Sequence, residues 1–300
     1  LQGNIPQDQK FDPGPGMAVA LDWYPRQMAE AVQAPAGSAP QLVVAPETAM
    51  PLLPQQAGAD FWQPFLGLMA RQQPGGEPVA ALLGLPLGSF EAGYTNSAWG
   101  IAPDAAAAAL ARLPDQLPGE GFYRYDKHHL VPFGEFIPPF FRWFTNLMHI
   151  PLGDFSRGGL AQAPWAWAGQ RVAANICYED LFGEELAAGF ADAATAPTVL
   201  VNLSNIGWFG DTVAIDQHLQ ISRLRALELG RPMLRATNTG ATAAIDHRGV
   251  VTHQLPRLTR DRLVAQVEGR GGLTPYARWA SRWGLWPAWG LCLAVVAVIA

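Results

Sequence analysis

The sequence predicts a layered α/β domain followed by one apolar helix. Short apolar runs closed by turn residues alternate with segments of helical pattern, and such runs fit strands buried on both faces by covering helices. With 300 residues, 49% of them hydrophobic, the chain can bury a full core, so one catalytic domain plus an appendage is expected. The appendage is the stretch from Trp283 to Ala300, which carries no charge.

Taken in order, Leu1-Gln2-Gly3-Asn4 reads like the end of a strand entered in its middle, and Tyr24 to Gln33 as a helix. Leu42 to Ala45 and Ala80 to Leu85 read as buried strands. Ala105 to Ala111, with flanking Pro and Gly, is low in complexity and reads as a surface hairpin region. Val172 to Cys177 and Val199 to Leu203 are further strands. A helix from Ile215 to Leu229 places Leu219, Leu224 and Leu227 on one stripe and stops at Gly230-Arg231-Pro232. Ala241 to Ile245 is the last strand of this set. The terminal run WGLWPAWGLCLAVVAVIA opens with three tryptophans, and a bilayer span needs ~20 apolar residues with Trp favoured at the interface. The expected division is a catalytic domain over 1–276 and a transmembrane helix over 277–300.

Charged residues make up 15% of the chain and the formal net charge is -5, without the Lys and Arg clusters that phosphate backbones demand, so nucleic acid is an unsuitable partner. The six histidines show no metal-ligand spacing, since His128 and His129, adjacent on an extended segment, would point apart. Of two cysteines, Cys292 falls in the apolar run, which leaves Cys177 alone in the remainder as either an inert core residue or a reagent.

Three positions could carry chemistry. Glu47 follows the strand ending at Ala45, where open α/β sheets assemble sites, although by itself it reads equally as a turn cap. Lys127 is one of two lysines, with Lys10, in a chain that otherwise uses Arg; a compact ammonium suits a single oxygen, and a solvated strand-end lysine is the alternative. Cys177 ends a strand and is followed at once by acidic residues that could open a helix. On such an elbow a thiol is exposed for attack and the next amide can face an oxyanion.

Glu after a buried strand, Lys in the run Lys127-His128-His129-Leu130-Val131-Pro132-Phe133-Gly134-Glu135, and Cys in Ile176-Cys177-Tyr178-Glu179, in that order, resemble the nitrilase, or carbon-nitrogen hydrolase, superfamily with its Glu-Lys-Cys triad. More narrowly, Gly3-Asn4-Ile5-Pro6-Gln7, Lys127 to Pro138, Trp208-Phe209-Gly210 and Arg225 to Pro232 are similar to the apolipoprotein N-acyltransferase family. Phe11 stands where that family leads one to expect Trp, and Asn205-Ile206-Gly207 where Asn-Asp is expected before Trp-Phe-Gly.

The resemblance implies an αββα sandwich facing the periplasm at the bacterial inner membrane, normally preceded by transmembrane helices. It implies no metal and no cofactor. Glu135 would support the triad, and Tyr178, Glu179 and Trp208 would belong to the substrate site. Glu47 would take the thiol proton, Cys177 would attack an ester carbonyl to form a thioester, and Lys127 with the Tyr178 amide would hold the oxyanion. Substitution of Glu47 by Gln is then expected to silence the thiol even towards a small alkylating reagent. The implied donor is a phospholipid, usually phosphatidylethanolamine, and the implied acceptor is the α-amine of an S-diacylglyceryl-cysteine apolipoprotein; the alternative is a tethered amidase with water as acceptor. The aromatic stretch Phe133 to Ile150, interrupted by Pro138-Pro139, suggests a lipid-facing loop carrying Phe140, Phe141 and Phe144.

Overall fold

The computed structural model describes residues 1–10, 14–35, 37–71, 76–116, 118, 121–136 and 155–299. The first half of the chain builds a four-stranded sheet in the order β1-β2-β3-β4, from Leu42–Val44, Ala80–Ser89, Gly93–Ile101 and Tyr123–Asp126. Only the β1–β2 pair is parallel. The second half builds a six-stranded sheet in the order β10-β9-β8-β7-β6-β5. Its strands are β5 (Trp165–Trp167), β6 (Gln170–Ile176), β7 (Val199–Ser204), β8 (Met233–Thr237), β9 (Ala243–Ile245) and β10 (Val251–Gln254). The three middle strands β6, β7 and β8 run parallel, so their carboxyl ends open on the same edge.

Apolar residues sort into three layers. Leu82, Ala98, Ile176, Val201 and Leu203 fill the seam between the sheets. Helices α1 (Pro15–Val32), α2 (Pro54–Ala70) and α3 (Pro103–Leu110) bury Tyr24, Met28, Trp62, Leu66 and Ala106 against the outer face of the first sheet. Helices α4 (Gly183–Ala188), α5 (Ala214–Leu229) and α6 (Pro275–Trp283) do the same on the second with Ala187, Ile215, Leu229, Ala277 and Ala280. Helix, sheet, sheet, helix is the expected αββα sandwich.

Three expectations need correction. The Ala-rich segment is not a hairpin but the body of α3: Pro103 occupies the first turn, Asp104 complements the helix dipole there, and alanine is the best helix former. On α5, Leu219 is buried, but Leu224 and Leu227 are 50% and 52% exposed. The inward face of that helix carries Ile215, His218, Leu219, Ser222, Ala226 and Leu229, because its middle covers a polar cluster rather than apolar strands.

The segment 277–300, expected as one transmembrane helix, is likewise not one helix. Among the described residues no single helix is long and apolar enough to cross a membrane. Instead α6 ends at Gly284, which turns with φ 53°, and α7 (Trp286–Ile299) sets off at 83° to it. Glycine takes that backbone without strain, and Pro287 in the first turn of α7 has no N–H to continue the earlier helix. By length and composition the bent pair together could cross. Thr274 caps α6 by accepting from the Ala277 N–H, and Ala277 and Ala280 bind the helix to the domain.

Candidate active site

Glu47 is set by contact with a glycine. Beyond β1 the chain stays on β2 through the Ala45 N–H donating to the Leu82 carbonyl at 2.9 Å and the Met50 N–H donating to the Gly84 carbonyl at 3.1 Å. A Cβ at residue 84 would lie 2.6 Å from Glu47 Cα, so only glycine lets the turn approach this closely. Thr48, at φ 47°, completes the turn and leaves Glu47 7% exposed.

Lys127 follows β4. Its N–H donates to the Asn96 carbonyl and its carbonyl accepts from the Gly158 N–H, both at 2.8 Å, which fixes the side chain inward at 1% exposure. Its ammonium lies 3.2 Å from Glu47 Oε1 and 2.8 Å from Glu135 Oε1. Asn96 Nδ2 donates to the same two oxygens at 2.7 Å each, and the Val131 N–H holds the other Glu135 oxygen at 2.8 Å. Two of the three ammonium hydrogens are thus committed to carboxylates, which aims the third.

Cys177 comes from the other sheet. It ends β6 and starts a 3-10 turn over Cys177–Leu181, with φ 52°, a conformation that costs a side-chain-bearing residue about 1–3 kcal/mol and is held only where neighbours enforce it. The enforcement is visible: Asn202 Nδ2 donates to the Cys177 carbonyl at 3.1 Å, and Glu179 Oε2 accepts from the Ile176 N–H at 2.6 Å. The sheets are tied at the site by the Asn205 N–H, at the end of β7, donating to Glu47 Oε2 at 2.9 Å.

The charges interlock. Burial opposes ionisation of Glu47, but Lys127, Lys10 and the Asn96 amide outweigh it and hold the carboxyl below its usual range. Burial also works against the Lys127 ammonium, and Glu47 and Glu135 overcome that and raise its pKa. Burial first, then the Glu47 charge, push the Cys177 thiol up to about 12, against the opposing pull of Lys127 and Ser204. At neutral pH the site therefore holds a thiol beside a carboxylate, and the proton must leave the sulfur as it attacks.

Of the other sequence candidates, Glu135 joins the cluster. Tyr178 follows Cys177 and sets its ring edge-on to His129 and Phe182, with centroids 5.6 and 5.2 Å away. Glu179 is a brace: its carboxylate accepts from Ile176 N, Tyr125 Oη, His128 N and His129 N, and so ties the Cys177 elbow to the Lys127 segment. Trp208 stands on the surface, 70% exposed beside Phe209 in a 3-10 turn over Ile206–Phe209. Phe11, Phe140, Phe141 and Phe144 lie outside the described residues.

A profile of the carbon-nitrogen hydrolase family matches residues 113–276, more than half of the chain. The chain belongs to the carbon-nitrogen hydrolase family. The matched region holds Lys127, Glu135 and Cys177 but not Glu47. Among curated relatives, the apolipoprotein N-acyltransferases of Verminephrobacter eiseniae and Ralstonia nicotianae are 61% and 49% identical to this chain. These matches cover 95% and 93% of this chain, and 50% and 48% of those proteins. The chain thus spans about half the length of the curated relatives it matches. Among solved structures, a carbon-nitrogen hydrolase from Helicobacter pylori superposes with a TM-score of 0.57 at 15% identity, covering 90% of this chain and 89% of that one. A family member from Xanthomonas campestris gives 0.54 at 18% identity, over 82% of each. At such identities the likeness concerns the fold.

The site also holds residues that sequence reasoning did not select. Lys10, 2% exposed, donates from Nζ to the Glu47 carbonyl at 2.9 Å, and burial lowers its pKa to about 7 despite the pull of Glu47 and Cys177. Behind the Cys177 elbow lies the polar cluster that α5 covers. Arg235 Nη1 reaches Asp180 Oδ2 at 3.3 Å, Asn202 Oδ1 at 3.2 Å and Ser222 Oγ at 2.6 Å. Its Nη2 donates to His218 Nδ1, which leaves the His218 proton on Nε2, 3.0 Å from Asp180 Oδ1. Since Asp180 sits in the turn opened by Cys177 and Asn202 holds the Cys177 carbonyl, this buried cluster fixes the elbow from behind. The one signal for Lys10 was its rarity; the partners of Arg235 are too distant in the chain for any local pattern to reveal.

Proposed function

We propose that this chain is the acyl-transferring part of a membrane enzyme. It would move a fatty acyl chain from phospholipid, with phosphatidylethanolamine as donor, through a Cys177 thioester to the N-terminal amine of S-diacylglyceryl-cysteine apolipoproteins. The observation that carries the reading is the pair Glu47–Lys127, held by Glu135 and Asn96, set against a thiol on a left-handed elbow. The names of the relatives supply the substrate class.

Glu47 accepts the thiol proton as Sγ attacks the ester carbonyl. Charge moves from the carboxylate side of the site to the new oxyanion, where the third Lys127 hydrogen and the Tyr178 N–H can receive it. Collapse expels the lysophospholipid alkoxide, which takes the proton from Glu47. In the second half the acceptor amine attacks the thioester, Glu47 takes its proton, and Cys177 leaves as thiolate and is reprotonated. Water competes for the thioester, and a site open to it would behave as an amidase or esterase. In this reading 1–276 is the catalytic unit on the periplasmic side of the inner membrane. The chain from 277 on serves the bilayer, with α6 gripping the domain and the uncharged α7 directed into hydrocarbon. The lipid contact expected of Phe140, Phe141 and Phe144 is part of this proposal, and Trp208 with Phe209 offers a further apolar contact for substrate.

The test uses the chain reconstituted with phosphatidylethanolamine carrying a labelled acyl group. A hydroxylamine-labile label on Cys177, absent from Cys177→Ala and unchanged in Cys292→Ala, that moves to the α-amine of a diacylglyceryl-cysteine peptide is the expected result. Release of the label only as free fatty acid in the presence of that peptide would establish the water-accepting alternative, and label persisting in Cys177→Ala would remove the nucleophile.

A further inference from the structure

The carboxyl end of β7 carries a hydroxyl for which the fold gives no structural use. Ser204 is fully buried, and its Oγ meets no partner with hydrogen-bond geometry among the described residues. Its main chain is satisfied otherwise, the carbonyl accepting from the Asn238 N–H at 3.0 Å. A buried hydroxyl left unmatched costs about 1–3 kcal/mol, so its presence calls for a partner that forms later in the reaction. The register names one: in the parallel β6–β7 pair Ile176 lies opposite Leu203, which puts Cys177 and Ser204, each one residue further, side by side at the edge where the strands open. The neighbouring Asn202 already holds the Cys177 carbonyl, so the two chains are locked together there.

We propose that Ser204 is a further catalytic residue, whose hydroxyl donates to the Cys177 sulfur when that sulfur carries negative charge. It transfers no proton; Oγ–H points at Sγ while the thiol proton goes to Glu47, and again when the carbon–sulfur bond of the thioester breaks and the electron pair returns to Sγ. A donor aimed where charge develops stabilises the transition state rather than the resting thiol, for which sulfur is only a weak acceptor. That accounts for the incomplete geometry at rest, since catalytic hydrogen bonds often tighten only as the reaction proceeds. The direction of its influence agrees: Ser204 favours the thiolate, opposing burial and Glu47.

The proposal rests on the functional reading only in taking Cys177 as nucleophile, so its test avoids acyl transfer. In a Cys292→Ala background, which leaves one thiol, the rate of alkylation by iodoacetamide is followed from pH 7 to 11. Ser204→Ala is expected to move the profile to higher pH and to slow alkylation at pH 8 about tenfold, the effect of one charge-assisted hydrogen bond. Ser204→Thr, which keeps the hydroxyl, should stay within about twofold of the parent. A Ser204→Ala profile that coincides with the parent's overturns the proposal, as does a Ser204→Thr profile displaced as far as that of Ala, which would point to packing. Because the hydroxyl makes no resting hydrogen bond of full geometry, Ser204→Ala should melt no lower than the parent; a large fall would make the hydroxyl structural and also overturn it. Acyl transfer failing while the pH shift persists would count against the proposed function alone.

Discussion

Substituting Glu47 by Gln separates two roles that the sequence alone runs together. Of the groups that meet around Cys177, Lys127 is positive, Glu47 and Glu135 are negative, and Lys10, lowered to about 7, is largely uncharged at the pH of the assay, so the cluster is formally -1 with the thiol protonated. Removing Glu47's charge makes it neutral. After burial, that charge is the largest influence holding the thiol near 12, and a like charge at such range shifts a pKa by ~1–3 units. The thiol of Glu47→Gln should therefore become more acidic, with ~10-fold or more thiolate at any pH well below its midpoint. Loss of the general base acts the other way on acyl transfer, by about 10²–10⁴-fold. Gln also presents an NH2 either to the Asn205 N–H or to Asn96 and Lys127, so one donor loses its acceptor and stability falls by about 1–3 kcal/mol. The assay is paired: acyl loading from phosphatidylethanolamine, and iodoacetamide alkylation against pH in a Cys292→Ala background. Transfer should collapse while alkylation at pH 8–9 holds or rises, the reverse of the silencing expected from the sequence. A parallel fall in both rates in a folded variant would refute this account of the site's electrostatics.

Three further outcomes are expected. Gly84→Ala must push Cβ away from Glu47 Cα and the Pro46 carbonyl, each 2.6 Å from where it would sit; acyl loading should fall at least tenfold with a stability loss of about 1–3 kcal/mol by thermal unfolding, and wild-type activity would remove the steric argument. Arg235→Met leaves Asp180 buried without its cation and should lower stability in urea by about 3–5 kcal/mol; a change below about 1 kcal/mol would mean that His218 and Ser222 suffice. Lys10, depressed from 10.5 to about 7 in the folded chain, binds fewer protons there than when unfolded, so it adds stability as pH rises from about 7 to 10.5, on the order of 5 kcal/mol across that window. Since Cys177, raised to about 12, works in the opposite direction above about pH 9, the quantity to measure is the difference between the parent and Lys10→Met; equal pH dependence in the two would sink the assignment.

What the sequence disclosed follows from the range of the interactions. The strands that carry Glu47 and Cys177 are covered by helices and the facing sheet and so are written as largely apolar runs, broken before Cys177 only by Asn175, and the Lys127 segment announces itself by residue choice. The alanines of α3 were legible as well, through Pro103 and Asp104 ahead of them, but low complexity is an unreliable sign of surface irregularity when the repeated residue is the best helix former. The leucine stripe of α5 misled because periodicity identifies the helix without saying what lies beneath it; here Asp180 and Arg235 lie beneath, and His218 and Ser222 face inward to meet them. Asn96, Asn205 and Ser204 could not be singled out, since the group each one faces is 27 to 158 residues away and is met only through sheet register or the packing of one sheet on the other.

The tie between the Asn205 amide and Glu47 has a mechanical consequence. Base and cation ride on one sheet and the nucleophile on the other, so the site works like a caliper whose jaws are the two sheets and whose gap is set by the thickness of the layer between them. Leu82, Ala98, Val201 and Leu203 are the shims in that gap, although none of them belongs to the site. A bulkier side chain at Ala98 would wedge the jaws apart and weaken proton transfer between Sγ and Glu47 before it unfolded anything. In this molecule the fit of an apolar core and the reach of a chemical step are one dimension.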